Sequence, residues 1–154
     1  MANFVATVKW QRNNEDFLSN KYSRAHTWEF DGGSVVAASA SPHIVPSPWS
    51  VAENVDPEEA FVASISSCHM LFFLSIAAEQ GVQVDSYTDI ASGTMSRVAK
   101  GKHAISNVTL NPAVTYSGTV PNKEQQESLH HKAHEQCFIA NSVNTEIAIE
   151  IQYV

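Results

Sequence analysis

Apolar and polar positions along this chain follow two different periods. In residues 3–10, Phe4, Ala6, Val8 and Trp10 share one side of an extended segment, the period-two pattern of a half-covered strand. His26, Trp28 and Phe30 repeat the alternation, Asp31-Gly32-Gly33 supplies a turn, and residues 34–39 return, which predicts a hairpin. Pro42, Pro46 and Pro48 surround Trp49 in residues 40–56. Prolines at that density exclude regular structure, so this stretch reads as an ordered loop or lid. Residues 61–78 then contain no Asp, Glu, Lys or Arg. Asp56 before them fits an N-cap, Pro57 the first helical position and Glu59 the third residue of a capping box, while Gly81 fits the stop. A helix over 57–80 follows, about 36 Å long at 1.5 Å per residue.

Beyond it, residues 82–87, 90–99 and 105–116 read as strands, the last broken at Asn111-Pro112. Pro121-Asn122 opens a second helix over 122–137, and Ile147, Ile149, Ile151 and Tyr153 alternate with Glu146, Glu150 and Gln152 in a final strand. Strands, long helix, strands, helix and strand make an α+β fold with a mostly antiparallel sheet around a long buried central helix. Its length fits a single domain over 1–154.

Charge narrows the function classes. The formal net charge is -7 with 9 Lys and Arg, which argues against a surface for nucleic acid or an anionic membrane, since either needs a basic patch. Ser64, Ser66, Ser67, Ser75 and His69 dilute the apolar run, which favours a helix buried in a core or between subunits over a membrane span. Residues 1–4 show no basic segment leading into an apolar one, and two cysteines are present. The expected setting is the cytoplasm, where a disulfide is catalytic or sensory rather than structural.

Those cysteines are the candidate chemistry. Cys68 lies mid-helix, about three turns from the N-terminus, beyond the reach of the helix dipole. A thiol buried there is an inert small hydrophobe unless a cation reaches it. Arg12, Arg24, Arg97 and His69 are the candidates, with Lys21 behind them. Arg24 stands where a loop enters a strand and can project from a sheet end. Glu59 has the capping role, which leaves Glu58 free to hold an arginine through both carboxylate oxygens. Glu58 and Cys68 are ten residues apart, about 15 Å along a straight helix, so one arginine cannot easily serve both within one chain. Two such helices crossing antiparallel near Ala63 would set Glu58 of one chain beside Cys68 of the other in an isologous dimer; a kinked helix is the competing explanation. The second thiol, Cys137, follows His130 and His134 at helical spacing i, i+4, i+7, a face resembling zinc or nickel ligation but one partner short.

The run Val55-Asp56-Pro57-Glu58-Glu59-Ala60-Phe61 leading to Ser66-Ser67-Cys68-His69, together with Cys137, Asn141-Ser142 and the Arg24 segment before Asp31-Gly32-Gly33, resembles the OsmC/Ohr family of osmotically inducible and organic hydroperoxide resistance proteins. The resemblance implies an intertwined homodimer and a thiol-dependent peroxidase without metal or other cofactor. By match Cys68 is peroxidatic, Cys137 resolving, Glu58 the arginine-orienting acid and Arg24 the arginine, with Arg12 its rival. Organic hydroperoxides are the expected substrates ahead of hydrogen peroxide, and a lipoyl-type dithiol the expected reductant. Phe61, Ile65, Phe72, Phe73 and Trp49 are candidates for an apolar pocket, with ordinary core packing the competing role for Phe72 and Phe73. Phe138 departs from the proline that often follows the family's second cysteine, which points to a less characterised branch and leaves substrate choice open. The alternatives are a metal-binding module using His130, His134 and Cys137, or a stress-related dimer with inert thiols.

Overall fold

The long apolar helix, α1, spans Pro57–Glu79 in the computed structural model, which describes residues 1–154. Both of its ends form as the sequence predicts. The Glu59 amide donates to Asp56 Oδ1 at 2.8 Å and the Asp56 amide to Glu59 Oε2 at 3.2 Å, a reciprocal capping box. At the far end Gly81 adopts φ +72°, its amide donates to Ala78 O and the Val82 amide to Ala77 O. This is a Schellman stop, and a side chain at Gly81 would be strained in that conformation.

The chain divides into two compact units, Met1–Ala60 and Phe61–Val154. In the first, β1 (Ala6–Lys9), β2 (His26–Phe30) and β3 (Val35–Ala38) form an antiparallel sheet in that order. The Gly33 amide closes the predicted turn on Phe30 O, with φ +90°. The proline-rich stretch is tied to β3: the Val55 amide donates to Ala37 O, the Ser39 amide to Val55 O and Asn54 Nδ2 to Ala38 O. The expected covered face of β1 is not covered. All four residues of the strand are exposed, and Phe4 and Val8 beside and within it are 91% and 66% exposed.

The second unit holds β4 (Gln83–Asp89) paired antiparallel with β7 (Pro112–Ser117), and a three-stranded sheet of β5 (Ser92–Ala99), β6 (Lys102–Leu110) and β8 (Glu146–Ile149). β5 runs antiparallel to β6, whereas β8 is parallel to β6. The break between β6 and β7 falls at Asn111, because Pro112 has no amide hydrogen to continue the ladder. The final segment follows the chain across that break: the Glu150 amide donates to Leu110 O and the Gln152 amide to Pro112 O. Its regular pairing therefore ends at Ile149, short of the Tyr153 that alternation alone predicts. The second helix, α2, spans Lys123–Gln136 and starts with an Asn122–Gln125 capping box.

α1 supplies two cores in this unit. Ile65 packs with Val108 and Leu110, flanked by Ile105, Ile147 and Ile149. Phe73, Ile76 and Ala77 pack with Val114 and with Leu129 and Ala133 of α2. Asp89 fastens the strands to the helix, accepting from Ser66 Oγ through one oxygen and from the Asn111 amide through the other. The opposite face of α1, including Ser64, Ser67, Leu71, Ser75 and Ala78, is exposed.

β5 approaches α1 closely at Gly93, where a Cβ would lie 2.7 Å from Val62 Cγ2 and 3.1 Å from Ile105 Cγ2. Gly93→Ala is expected to cost about 1–3 kcal/mol of stability through overpacking, read as a lower urea midpoint; an unchanged midpoint would show that the helix and strand can separate without penalty.

Candidate functional site

The two sulfurs come together where α2 ends against the middle of α1. Cys137 is the C-cap residue of α2 and 1% exposed, whereas Cys68 is partly exposed. Both cysteines are free, and the Cys68 thiol lies near enough to Cys137 to affect its ionisation. Burial, and next the Cys68 thiol, push the Cys137 thiol up from its ordinary value, against a smaller opposing effect of the Ala140 and Ile139 amides. The Ala140 amide donates to Cys137 Sγ at 3.4 Å, so the turn leaving α2 fixes the sulfur's position. Cys137 is thus a shielded thiol held toward its protonated form, beside the partly exposed Cys68.

One residue further along α1, His69 meets His130 of α2. His69 Nε2 and His130 Nδ1 are 3.0 Å apart. The ring planes differ by 1° with centroids 5.3 Å apart, so the imidazoles meet edge to edge in one plane rather than stacking. Phe73, one turn after His69, stacks on His130 at 4.2 Å and 24°. The two histidines are 1% and 2% exposed, and their outer nitrogens, His69 Nδ1 and His130 Nε2, are buried without a partner. One shared proton suits two neutral rings, in either of two tautomer arrangements. Burial, with a smaller contribution from His134, lowers His69 to about 4; burial, then His69 itself, lowers His130 to about 3.

His69 therefore supplies no positive charge near neutral pH, contrary to its place among the candidate cations, because the core expels the charged form. His130 does not present a ligand face with His134 and Cys137 either, since its Nδ1 is turned to His69; no group of three His, Cys, Asp or Glu is arranged to hold a metal ion. Ile65 and Phe73 are fully buried core residues rather than pocket walls. Phe72, one turn after Cys68, packs edge-on against Phe138 at 4.9 Å, and Phe138 is 71% exposed. The neutral histidine pair is the feature that sequence reading missed, because spacing within one helix does not disclose which residue of another helix it will meet.

Of the remaining candidates, Arg24, Glu58 and Arg12 lie in the unit 1–60 and Arg97 in the unit 61–154. Arg24 is held by its own loop: its guanidinium donates to Asn20 O at 3.2 Å, Tyr22 O at 2.5 Å and Asn20 Oδ1 at 2.7 Å, and lies 3.7 Å over the Tyr22 ring. Glu58 does not pair with it; Glu58 Oε2 is buried and has no hydrogen-bond partner. Arg12 donates to Glu15 O and edges an open hollow with Asn14, Asp16 and Phe17. Arg97 donates to Ala99 O on an exposed strand.

Comparison with known proteins gives a consistent picture. The family model described as OsmC-like protein matches residues 51–152. A solved OsmC-like protein of unknown function from Vibrio cholerae is 59% identical, with TM-score 0.95 over 99% of this chain and 100% of that one. An organic hydroperoxide resistance protein OsmC from Legionella pneumophila is 17% identical, with TM-score 0.70 over 99% of this chain and 97% of that one. The organic hydroperoxide resistance protein OhrB of Bacillus subtilis is 18% identical, with TM-score 0.71 over 98% of each chain; at such identities the likeness is one of fold. Comparison with curated proteins found no match.

Acid should weaken this site. Above the ordinary histidine value of 6.5 both imidazoles are neutral, folded or unfolded, and their contribution to stability is constant. Below 6.5 the unfolded chain takes up protons that the folded core refuses, until His69 titrates near 4 and His130 near 3. Stability should fall through that window, by roughly 3 kcal/mol for His69 alone. Urea unfolding from pH 7 to 4 should show this loss, and His130→Asn should show a shallower one; equal slopes for the two proteins would contradict the assignment.

Proposed function

This chain belongs to the OsmC-like protein family, and on that premise we propose that it is a thiol-dependent peroxidase, with Cys68 peroxidatic and Cys137 resolving. The observation that carries the reading is the contact between two thiols of unequal exposure. Cys68 is partly exposed and so the thiol better placed to meet a hydroperoxide, while Cys137, shielded beside it, suits the resolving role. The organic hydroperoxide resistance proteins of the same fold favour organic hydroperoxides as the substrate class. Phe72 and Phe138 offer an apolar rim for them beside the sulfurs.

In this mechanism the Cys68 thiolate attacks one oxygen of the peroxide and the O–O bond breaks. The leaving alkoxide takes a proton and departs as alcohol, leaving Cys68 as a sulfenic acid. The Cys137 sulfur then attacks the Cys68 sulfur. The hydroxyl leaves with the Cys137 proton as water, and a disulfide remains. An external dithiol, of lipoyl type in this reading, reduces the disulfide by two exchange steps and is itself oxidised. Arg24 is the proposed source of positive charge for the thiolate and Glu58 its orienting acid, in the reducing cytoplasm.

The same reading takes the working unit to be an isologous homodimer. The exposed face of α1, with Leu71 60% exposed, and the bare β1 strand are apolar surfaces that a second copy would cover. Glu58 Oε2, buried without a partner, is the kind of group that assembly would satisfy.

Purified protein supplied with an organic hydroperoxide and a dithiol should consume peroxide continuously. Cys68→Ser should reduce consumption to background, and full activity in that variant would rule the mechanism out. Cys137→Ser should manage about one turnover and leave an oxidised Cys68 visible by mass. Sedimentation should give a dimer that Leu71→Glu shifts toward monomer; a monomeric wild-type protein with full activity would remove the composite site.

A further inference from the structure

α2 has a weak apolar grip on its surroundings. Within Lys123–Gln136 the buried residues are Leu129, His130 and Ala133. Leu129 and Ala133 contribute non-directional contact, which resists separation of the helices better than it resists sliding. Sliding matters at the thiols. A slip of one turn moves Cys137 by about 5.4 Å, whereas a disulfide requires Cβ atoms about 3.5–4.5 Å apart.

The residues that meet also define how the helices cross. On α1 the contacting residues, Cys68 and His69, are sequence neighbours. On α2 their partners, Cys137 and His130, are seven residues apart, about 10 Å along the axis. Neighbours on one helix reach residues two turns apart on the other only if the axes cross steeply. Two contact points across a steep crossing fix both rotation and translation of α2, and neither contact alone does so.

A buried imidazole pair is a costly way to fill a core. Two apolar side chains of similar size would leave no unpartnered nitrogen, whereas this pair leaves His69 Nδ1 and His130 Nε2 without one. What the pair supplies is direction. The in-plane bond is made in one register, and Phe73 stacked on His130 holds that ring in the required plane. In any slipped arrangement both inner nitrogens would also lose their partner inside the core.

We propose that the His69–His130 hydrogen bond is a register key, a positioning pair that holds Cys137 against Cys68 for disulfide formation without touching substrate or sulfur. The inference rests on the Cys68–Cys137 disulfide of the proposed function. It makes the polar contact, rather than the bulk of the two rings, the element that sets the effective concentration of one thiol at the other.

The test is equilibration in glutathione redox buffers at pH 7, with the Cys68–Cys137 disulfide counted by alkylation and mass. No peroxide is involved, so thiol pairing is measured apart from peroxidase chemistry. Asn places its amide where the imidazole Nδ1 lies, and Gln places it one methylene further out, where Nε2 lies. His130→Asn should therefore keep the effective concentration within about threefold of wild type, and so should His69→Gln/His130→Asn. His130→Gln and His69→Leu/His130→Leu should each lower it roughly tenfold or more, the scale of one directional hydrogen bond. Circular dichroism and urea midpoints taken alongside identify folded variants, and the Asn–Gln pair at position 130 decides the matter if the leucine protein does not fold. Equal effective concentrations for His130→Asn and His130→Gln would overturn the register key while leaving the disulfide intact. A wild-type protein that forms no disulfide in any buffer would overturn the proposed function, and this inference with it.

Discussion

The contact between the middle of α1 and the end of α2 is the constraint on which the rest of the second unit depends. At the Cys68–His69 step, two consecutive side chains of α1 touch two residues of α2 that are two turns apart. Everything that places α1 serves that step. The capping box and the Gly81 stop set its length and ends. Ile65 and Phe73, one turn to either side of His69, anchor it in separate cores. Asp89 ties Ser66 to the corner where β6 gives way to β7. The crossing is consequently supported from both sides along α1, although α2 contributes little apolar surface of its own.

Low polarity at the crossing governs the charge state of its groups. Burial works against imidazolium at both histidines and against thiolate at Cys137. Both histidines are therefore neutral around neutral pH, and the partly exposed Cys68 lies beside them in α1. The two thiols therefore sit in unlike surroundings: Cys68 is partly exposed, and Cys137 is shielded with its thiol form favoured. The histidines of this neutral core supply no cation, and the proposed mechanism assigns that part to Arg24.

α1 is also two-faced in a way that its sequence conceals. An uncharged, nearly all-round apolar helix predicts burial on every side, yet in the single chain only Ile65, His69, Phe73, Ile76 and Ala77 are buried. The other face of α1 is exposed, as is the β1 strand, and the Glu58 oxygen is buried without a partner. The proposed homodimer would supply a further layer, and the burial that the helix composition predicts would then be distributed between two copies.

Local chemistry decided most of what could be read from the residues. Asp56, Glu59 and Gly81 bounded α1 to within a residue, because caps and stops are made by neighbours in the chain. Asp31-Gly32-Gly33 placed the hairpin, Asn122 opened α2, and the Pro57-Glu58 to Cys68 spacing with Cys137 disclosed the family. What neighbours cannot specify was left to tertiary structure. The parallel pairing of β8 with β6 and the early end of that ladder arise from contacts across some forty residues. The neutral His69–His130 bond spans sixty-one positions, so each histidine read by itself looked like a cation or a ligand. Arg24, too, is occupied by backbone carbonyls of its own loop rather than by Glu58. Which face of a helix meets which depends on how all the apolar surfaces pack at once, and no local pattern encodes that sum.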